Sequence, residues 1–223
     1  MTSLSAIVPT LNEAAGLTAT LASLRGGVAE IVVADGGSSD STAGLASRLG
    51  AKTITSSRGR GAQLADGAAA TEGDWLLFLH ADTVLEPSWR KAATRFMADP
   101  GNAARAGYFT FALDDPSPAA RRLERLVAWR CRALGLPYGD QGLLIARDHY
   151  RRLGGYRAMA LMEDVDLVRR IGRRNLVRLP ARAVTSAERW RREGWLMRSA
   201  RNLLCLALYF LGVPPQALAR IYR

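Results

Sequence analysis

The sequence predicts one α/β domain, a mostly parallel mixed sheet flanked by helices. Short apolar runs alternate with amphipathic stretches over the first hundred residues, the pattern of successive βαβ units. The connections between them are short, as crossover units require. A chain of 223 residues can bury one substantial core, and a second of ordinary size would leave too little for either.

The strands predicted in the first half are Leu4–Val8, Glu30–Ala34, Ala51–Thr55 and Trp75–His80. Helical periodicity falls between them at Glu13–Leu24, Ser41–Leu49 and Gly61–Ala70. After residue 100 the pattern changes to a strand at Ala104–Leu113, a long basic helix at Ala119–Leu134, and a polar loop at 137–142 that leads into Leu143–Ala146. A further helix is predicted around Asp164–Ile171. There is no internal repeat, low-complexity linker or clear domain break.

Composition is that of a folded protein, 48% hydrophobic and 23% charged. The net charge of +11 is unevenly placed: residues 1–100 carry 8 Lys and Arg against 10 acids, and residues 101–223 carry 23 against 10. Cys131 and Cys205 are far apart and lie in helix-like stretches, so packing rather than a disulfide or a zinc site is expected of them. No charged region followed by an apolar run and a cleavage site opens the sequence, and a cytoplasmic location is expected.

Polar clusters stand at the carboxyl ends of the predicted strands, where open α/β sheets bind ligands. These are Pro9-Thr-Leu-Asn-Glu13, Asp35-Gly-Gly-Ser-Ser-Asp40, Arg58-Gly-Arg-Gly61 and His80-Ala-Asp-Thr83. A nucleoside diphosphate needs hydrogen-bonding partners for its base, donors for its phosphates and commonly a divalent cation on carboxylate oxygen. Glu13 and Asp35 suit the first task, Arg58 and Arg60 the second, and Asp82 the third. Any one of these acids alone reads as a helix cap or a turn residue; their recurrence at successive strand ends favours function.

Ala6-Ile-Val-Pro-Thr-Leu-Asn-Glu13, Val33-Ala-Asp-Gly-Gly-Ser-Ser-Asp-Ser-Thr42 and Leu77-Phe-Leu-His-Ala-Asp-Thr83 resemble the opening of family 2 glycosyltransferases with the Rossmann-like GT-A fold. Met162-Glu-Asp-Val-Asp-Leu167 carries the resemblance into the second half. Gly59–Gln63 and the Leu79-His-Ala-Asp82 step look like a small bacterial group of short transferases named for association with radical-SAM and selenium-related genes. The resemblance implies transfer of a sugar from a nucleotide-sugar donor, metal-dependent and inverting, to an acceptor the sequence does not identify. Pro9, Thr10, Glu13 and Asp35 would line the base and ribose pocket, Arg60 would reach towards the nucleotide, and Asp82 would hold Mn²⁺ or Mg²⁺. Asp164 would be the general base and Glu163 its support. Residues 1–100 would then be the nucleotide-binding half of one domain, 101–192 the acceptor half and 193–223 a C-terminal helical segment.

His80 departs from the family's metal motif, which commonly has an acid at that position. It reads as a metal ligand, as a partner of ribose or phosphate, or as a histidine packed at a strand end. Asp140 and Gln141, on the glycine-flanked loop, suit an acceptor or pyrophosphate contact, or a plain turn. Arg189-Trp190 looks like an Arg-Trp element near the donor, or a surface arginine stacked on tryptophan.

Leu203–Val213 is uncharged but too short to cross a bilayer, which takes roughly 20 residues. Preceded by Arg189, Arg191, Arg192, Arg198 and Arg201, it reads as a buried core helix or as a peripheral anchor on the inner face of a membrane. A nucleic-acid partner is disfavoured, because the aromatics are not interleaved with the arginines as a stacking platform requires. A dehydrogenase is set aside because Gly59-Arg-Gly-Ala-Gln-Leu64 lacks the third glycine of the dinucleotide fingerprint. The nearest enzymatic alternative, a sugar nucleotidyltransferase, lacks its usual glycine-rich N-terminal loop here.

Overall fold

The computed structural model describes residues 2–222. In chain order its strands and helices are β1 (Leu4–Thr10), α1 (Ala14–Leu24), β2 (Glu30–Asp35), α2 (Thr42–Arg48), β3 (Lys52–Thr55), α3 (Arg60–Ala69), β4 (Trp75–Phe78), β5 (Thr83–Leu85) and α4 (Trp89–Ala98). The second half contributes β6 (Ala106–Leu113), α5 (Pro118–Leu134), β7 (Leu143–Ala146), α6 (Arg147–Arg152), α7 (Glu163–Ile171), β8 (Leu176–Thr185), α8 (Glu188–Glu193), α9 (Trp195–Phe210) and α10 (Pro215–Tyr222). Every strand and helix predicted above is present with its ends moved by at most two residues.

The strands form one sheet in the order β3-β2-β1-β4-β7-β6-β8-β5. β3, β2, β1 and β4 run parallel. β7 is antiparallel to β4 and β6, β6 and β8 are parallel, and β5 pairs antiparallel with β8. The sheet is mixed and mostly parallel, as the alternating pattern predicts. Successive strands run outward from β1 in one direction as far as β3, and the chain then returns to place β4 on its other side. That reversal puts a crevice beyond the carboxyl ends of β1 and β4, the switch point where α/β sheets bind ligands.

Strand alternation splits the core into two layers. Leu4, Ala6 and Val8 of β1 pack with Leu17, Leu21 and Leu24 of α1 and with Trp89 and Phe96 of α4. Ile7 faces the other way, towards Leu64 of α3, Tyr150 of α6 and Leu167 of α7. β4 is buried on both faces, which is why Trp75-Leu-Leu-Phe78 is continuously apolar. α3 lies hard against β1: a side chain at Gly67 would collide with Ile7. α5 starts at Ser117, whose hydroxyl accepts from the Ala120 amide, with Pro118 in its first turn, and it ends at Gly135 in the left-handed region, φ 64°.

The C-terminal apolar stretch is divided between the two readings given above. Cys205 and Leu206 pack against α7, while Leu203, Leu204 and Leu211 stand exposed. Among the described residues no helix is long and apolar enough to cross a membrane.

Candidate active site

Two cavities meet at the switch point. The larger, about 460 Å³, is lined by Pro9, Thr10, Leu11 and Glu13 after β1, by Arg58, Gly59, Arg60 and Gln63 at the start of α3, and by His80 to Asp82 after β4. The smaller, about 100 Å³, is lined by Tyr138 and Asp140, Leu161 to Val165 at the start of α7, Thr185, Trp190, Arg198 and Asn202. Arg60, His80, Asp82, Leu161, Arg189 and Tyr222 line both. The shared walls make the pair one site with two compartments.

Arg60 is the hinge of this arrangement. Its Nε lies 3.0 Å from Glu163 Oε1, and Glu163 is 2% exposed. Burial pushes the Glu163 carboxyl above its ordinary value, with Asp164 alongside adding to the effect, while Arg60 opposes them. The same pair holds the Arg60 guanidinium firmly protonated. On its other side Arg60 Nη1 is 3.3 Å from His80 Nε2. Burial and the neighbouring arginines hold His80 well below its ordinary value, so the ring is neutral and its Nε2 accepts from Arg60. His80 is packed against Gly139, where any side chain would meet the ring. His80 lines the site by orienting Arg60.

Asp164 closes the far wall. Its Oδ2 accepts from the Gly139 amide at 2.9 Å and its Oδ1 from the Val165 amide at 2.8 Å, which ties the 137–142 loop to the start of α7. Met162, just before α7, adopts a left-handed backbone (φ 68°), unusual for a residue with a side chain. The turn sets Glu163 towards Arg60 and Asp164 towards the loop. Asp140 lies on the same wall with Oδ1 unpartnered, and burial, with Asp164 and Asp82 nearby, pushes its carboxyl up to about 6 although Arg130 pulls the other way. Glu13 pairs with Arg189 at 2.6 Å, and its partial burial raises its carboxyl above the ordinary value despite that partner.

Two predicted contacts fall elsewhere. Asp35 does not line either cavity. Its carboxylate accepts from the Ser38 amide and hydroxyl, the Gly37 amide and the Thr10 hydroxyl. Partial burial opposes ionisation, but these bonds outweigh it and hold Asp35 below the usual carboxylate range. Its work here is to close the β2–α2 turn behind Thr10. Gln141 is 2% exposed and turns inward, donating to the Phe109 carbonyl at 3.1 Å and accepting from the Tyr138 amide. It braces the loop that carries Asp140. Arg189 and Trp190 do reach the site, but they do not stack on each other: Trp190 carries Arg198 on its face, 4.9 Å from the ring centroid.

The structure adds residues to which the sequence assigns no role in the site. Gln63 donates to the Thr10 and Ala34 carbonyls at 2.6 and 2.9 Å, pinning the ends of β1 and β2 at the floor of the larger cavity. Its place one helical turn after Arg60 was a legible signal. Tyr138 lies on the 137–142 loop, and Arg198, Asn202 and Tyr222 lie in stretches without any recognisable motif.

The donor set suits an oxygen-preferring divalent cation. Among the described residues no three His, Cys, Asp or Glu side chains cluster as a closed cage. Asp82 and Asp140 both line the smaller cavity, Asp140 with an unpartnered Oδ1, and carboxylate oxygen is the ligand type that Mg²⁺ and Mn²⁺ favour. The Nε2 of His80 is already engaged by Arg60.

In comparisons with known proteins, glucosyl-3-phosphoglycerate synthase of Mycobacterium tuberculosis, solved with Mg²⁺ and UDP, superposes with TM-score 0.61 at 20% identity, over 83% of this chain and 70% of that one. The same enzyme solved with Mn²⁺ and UDP-glucose gives 0.58 at 18% identity over the same shares. Mannosyl-3-phosphoglycerate synthase of Rubrobacter xylanophilus gives 0.56 at 19%, over 83% of this chain and 65% of that one. At these identities the likeness is one of fold, the GT-A arrangement. No curated protein sequence matches. The sequence profile described as Glycosyl transferase family 2 matches residues 5–160, which span β1 to the loop before α7 and every strand-end cluster on the larger cavity. The chain therefore belongs to glycosyl transferase family 2 and is a glycosyltransferase.

Proposed function

We propose that this enzyme binds a nucleoside-diphosphate sugar in the larger cavity and transfers the sugar, with inversion, to an acceptor hydroxyl presented in the smaller one. The observation that carries the reading is the wall the two cavities share. Arg60 and Asp82 stand between a compartment edged by Pro9, Thr10, Glu13 and Arg58 and one edged by Asp140, Glu163 and Asp164. A diphosphate on that wall has guanidinium donors from Arg58 and Arg60, and its sugar faces Asp164. Asp82, with Asp140 on the same cavity, would hold Mn²⁺ or Mg²⁺. Bound there, the cation would offset charge on the departing nucleoside diphosphate.

Asp164 is the general base of this proposal. Its backbone partners keep the carboxylate in place, and it lines the compartment where the acceptor hydroxyl would sit. Glu163 supports it by fixing Arg60. The inverting course follows from a single displacement with one base, and no second carboxylate is assigned as a nucleophile. The relatives solved with UDP, UDP-glucose and Mn²⁺ support the donor class. The narrower likeness to the radical-SAM and selenium-gene-associated transferases rests on Gly59–Gln63 and the His80 step, two tracts that meet in the Arg60–His80 contact.

Calorimetric titration with UDP and GDP, each with Mn²⁺, Mg²⁺ or EDTA, tests the reading. One nucleotide is expected to bind, and only with metal. Once its sugar is found, Asp164→Asn should keep that affinity while lowering turnover on the order of 10²- to 10⁴-fold. Turnover unchanged in Asp164→Asn would remove the base assignment, and binding of neither nucleotide would remove the donor site.

A further inference from the structure

α9 presents its apolar side to solvent. Leu196, Ala200, Leu203, Leu204, Ala207 and Leu211 recur at the spacing of one helical face and are all exposed. Leu196 is 88% and Leu211 80% exposed. The charged residues of the helix point the other way: Arg198 is 5% exposed and bonds Glu193 inside the fold, and Arg201 pairs with the same carboxylate. A helix with arginines inward and leucines outward is inverted for an aqueous surface. Contiguous apolar surface of this kind marks a contact with a protein or a membrane.

α5, alongside, continues the surface with a different mixture. Leu126, Trp129 and Leu134 are about half exposed, interspersed with exposed Arg122, Arg125 and Arg132. α5 has five arginines and one acid, and α9 has two arginines and no acid. Tryptophan and leucine flanked by arginines, whose stems can lie on apolar surface while the heads reach outward, fit the boundary of an anionic bilayer. Between the two helices runs an apolar cleft of about 90 Å³, lined by Leu123, Leu126, Trp129, Leu203 and Leu206 among others. Tyr138 and Asn202 line both this cleft and the compartment that holds Asp164.

We propose that the α5–α9 face docks on an anionic membrane and that the cleft takes the apolar chain of a lipid acceptor, whose hydroxyl end reaches Asp164 past Tyr138 and Asn202. The inference rests on the transferase reading and names its acceptor class. Charge and continuity select this occupant: the surface is cationic at its rim, apolar at its centre, and open by one wall to the candidate base.

The test is sedimentation with vesicles of equal parts phosphatidylglycerol and phosphatidylcholine, and with phosphatidylcholine alone, in the absence of nucleotide. The protein is expected to pellet with the anionic vesicles, less so as salt rises, and little with the neutral ones. Leu203→Glu/Leu204→Glu, at exposed positions, should reduce partitioning by about tenfold or more while leaving metal-dependent nucleotide titration unchanged. Binding of n-alkanols should tighten with chain length, by up to about fourfold per methylene, and Ser199→Trp, which narrows the cleft, should abolish that dependence without preventing vesicle binding. Protein left in the supernatant with anionic vesicles would overturn the proposal. So would a dimer in light scattering that the double variant dissociates, since the face would then belong to a second copy. Affinity independent of chain length would overturn the cleft assignment. None of these results depends on nucleotide binding, so failure here and failure of the donor site are read separately.

Discussion

Arg60 shows how one side chain can organise two compartments. Glu163 holds it from α7 and His80 from the end of β4, so the guanidinium is fixed before any phosphate arrives. That fixation is a form of preorganisation, because the orienting cost is met on folding rather than at binding. Asp140 illustrates the opposite situation, a carboxyl whose surroundings disfavour its charge. Its folded-state value of about 6 lies above the ordinary 3.8, so the folded protein binds this proton more tightly than the unfolded chain does. The associated stability is fully present below about pH 4 and is lost as pH rises through about 6. Asp140→Asn should therefore raise stability at pH 8 in EDTA by about 2–3 kcal/mol, with little change at pH 4. Denaturant titrations at the two pH values measure the difference, and an equal effect at both would mean that burial does not disfavour the Asp140 charge.

At the scale of elements, close approach decides what the helices tolerate. α3 must lie near β1 to bring Arg60 to the crevice, and Gly67 is where the two meet. Replacing a helical glycine by alanine ordinarily stabilises by up to about 1 kcal/mol. Gly44 of α2, exposed and near only the end of Arg48, should follow that rule. Gly67→Ala should instead destabilise by about 1–3 kcal/mol, because its methyl enters the space of Ile7, which is fully buried. Urea unfolding of the two variants checks the contrast, and similar gains at both sites would show that α3 can move without cost. The same elements mark what could be read beforehand. β1 to β4 and their helices declare themselves through buried apolar runs and glycine-rich turns. β8 does not, because exposed Arg178 and Arg182 and the central Pro180 interrupt it. The register shift opposite β6 between Tyr108 and Thr110 absorbs that interruption. α9 misleads in another way: its composition is that of a core helix, and only the packing of Arg198 inward reveals which side is covered.

For the whole molecule, the central question is whether the two halves are separate units. The motif-bearing residues 1–100 and the segment 101–192 look distinct in sequence, yet β7 inserts beside β4 and β5 is reached only through β8, so the sheet hydrogen bonds run across the division. Phe109 of β6 and Leu144 of β7 also lie in the core layer built by α1, β1 and α4. Separating the halves would expose that layer on both sides. Unfolding is therefore expected as one cooperative transition in which far-ultraviolet dichroism and tryptophan fluorescence coincide. Trp75 and Trp89 report on the first half, Trp129 and Trp190 on the second, and Trp195 on the C-terminal segment. A nucleotide bound at the shared wall should raise that single midpoint as its concentration exceeds its dissociation constant. Two resolved transitions, with only the first moved by nucleotide, would instead make the nucleotide-binding half an independent unit. The acceptor compartment would then be assembled by docking rather than by folding.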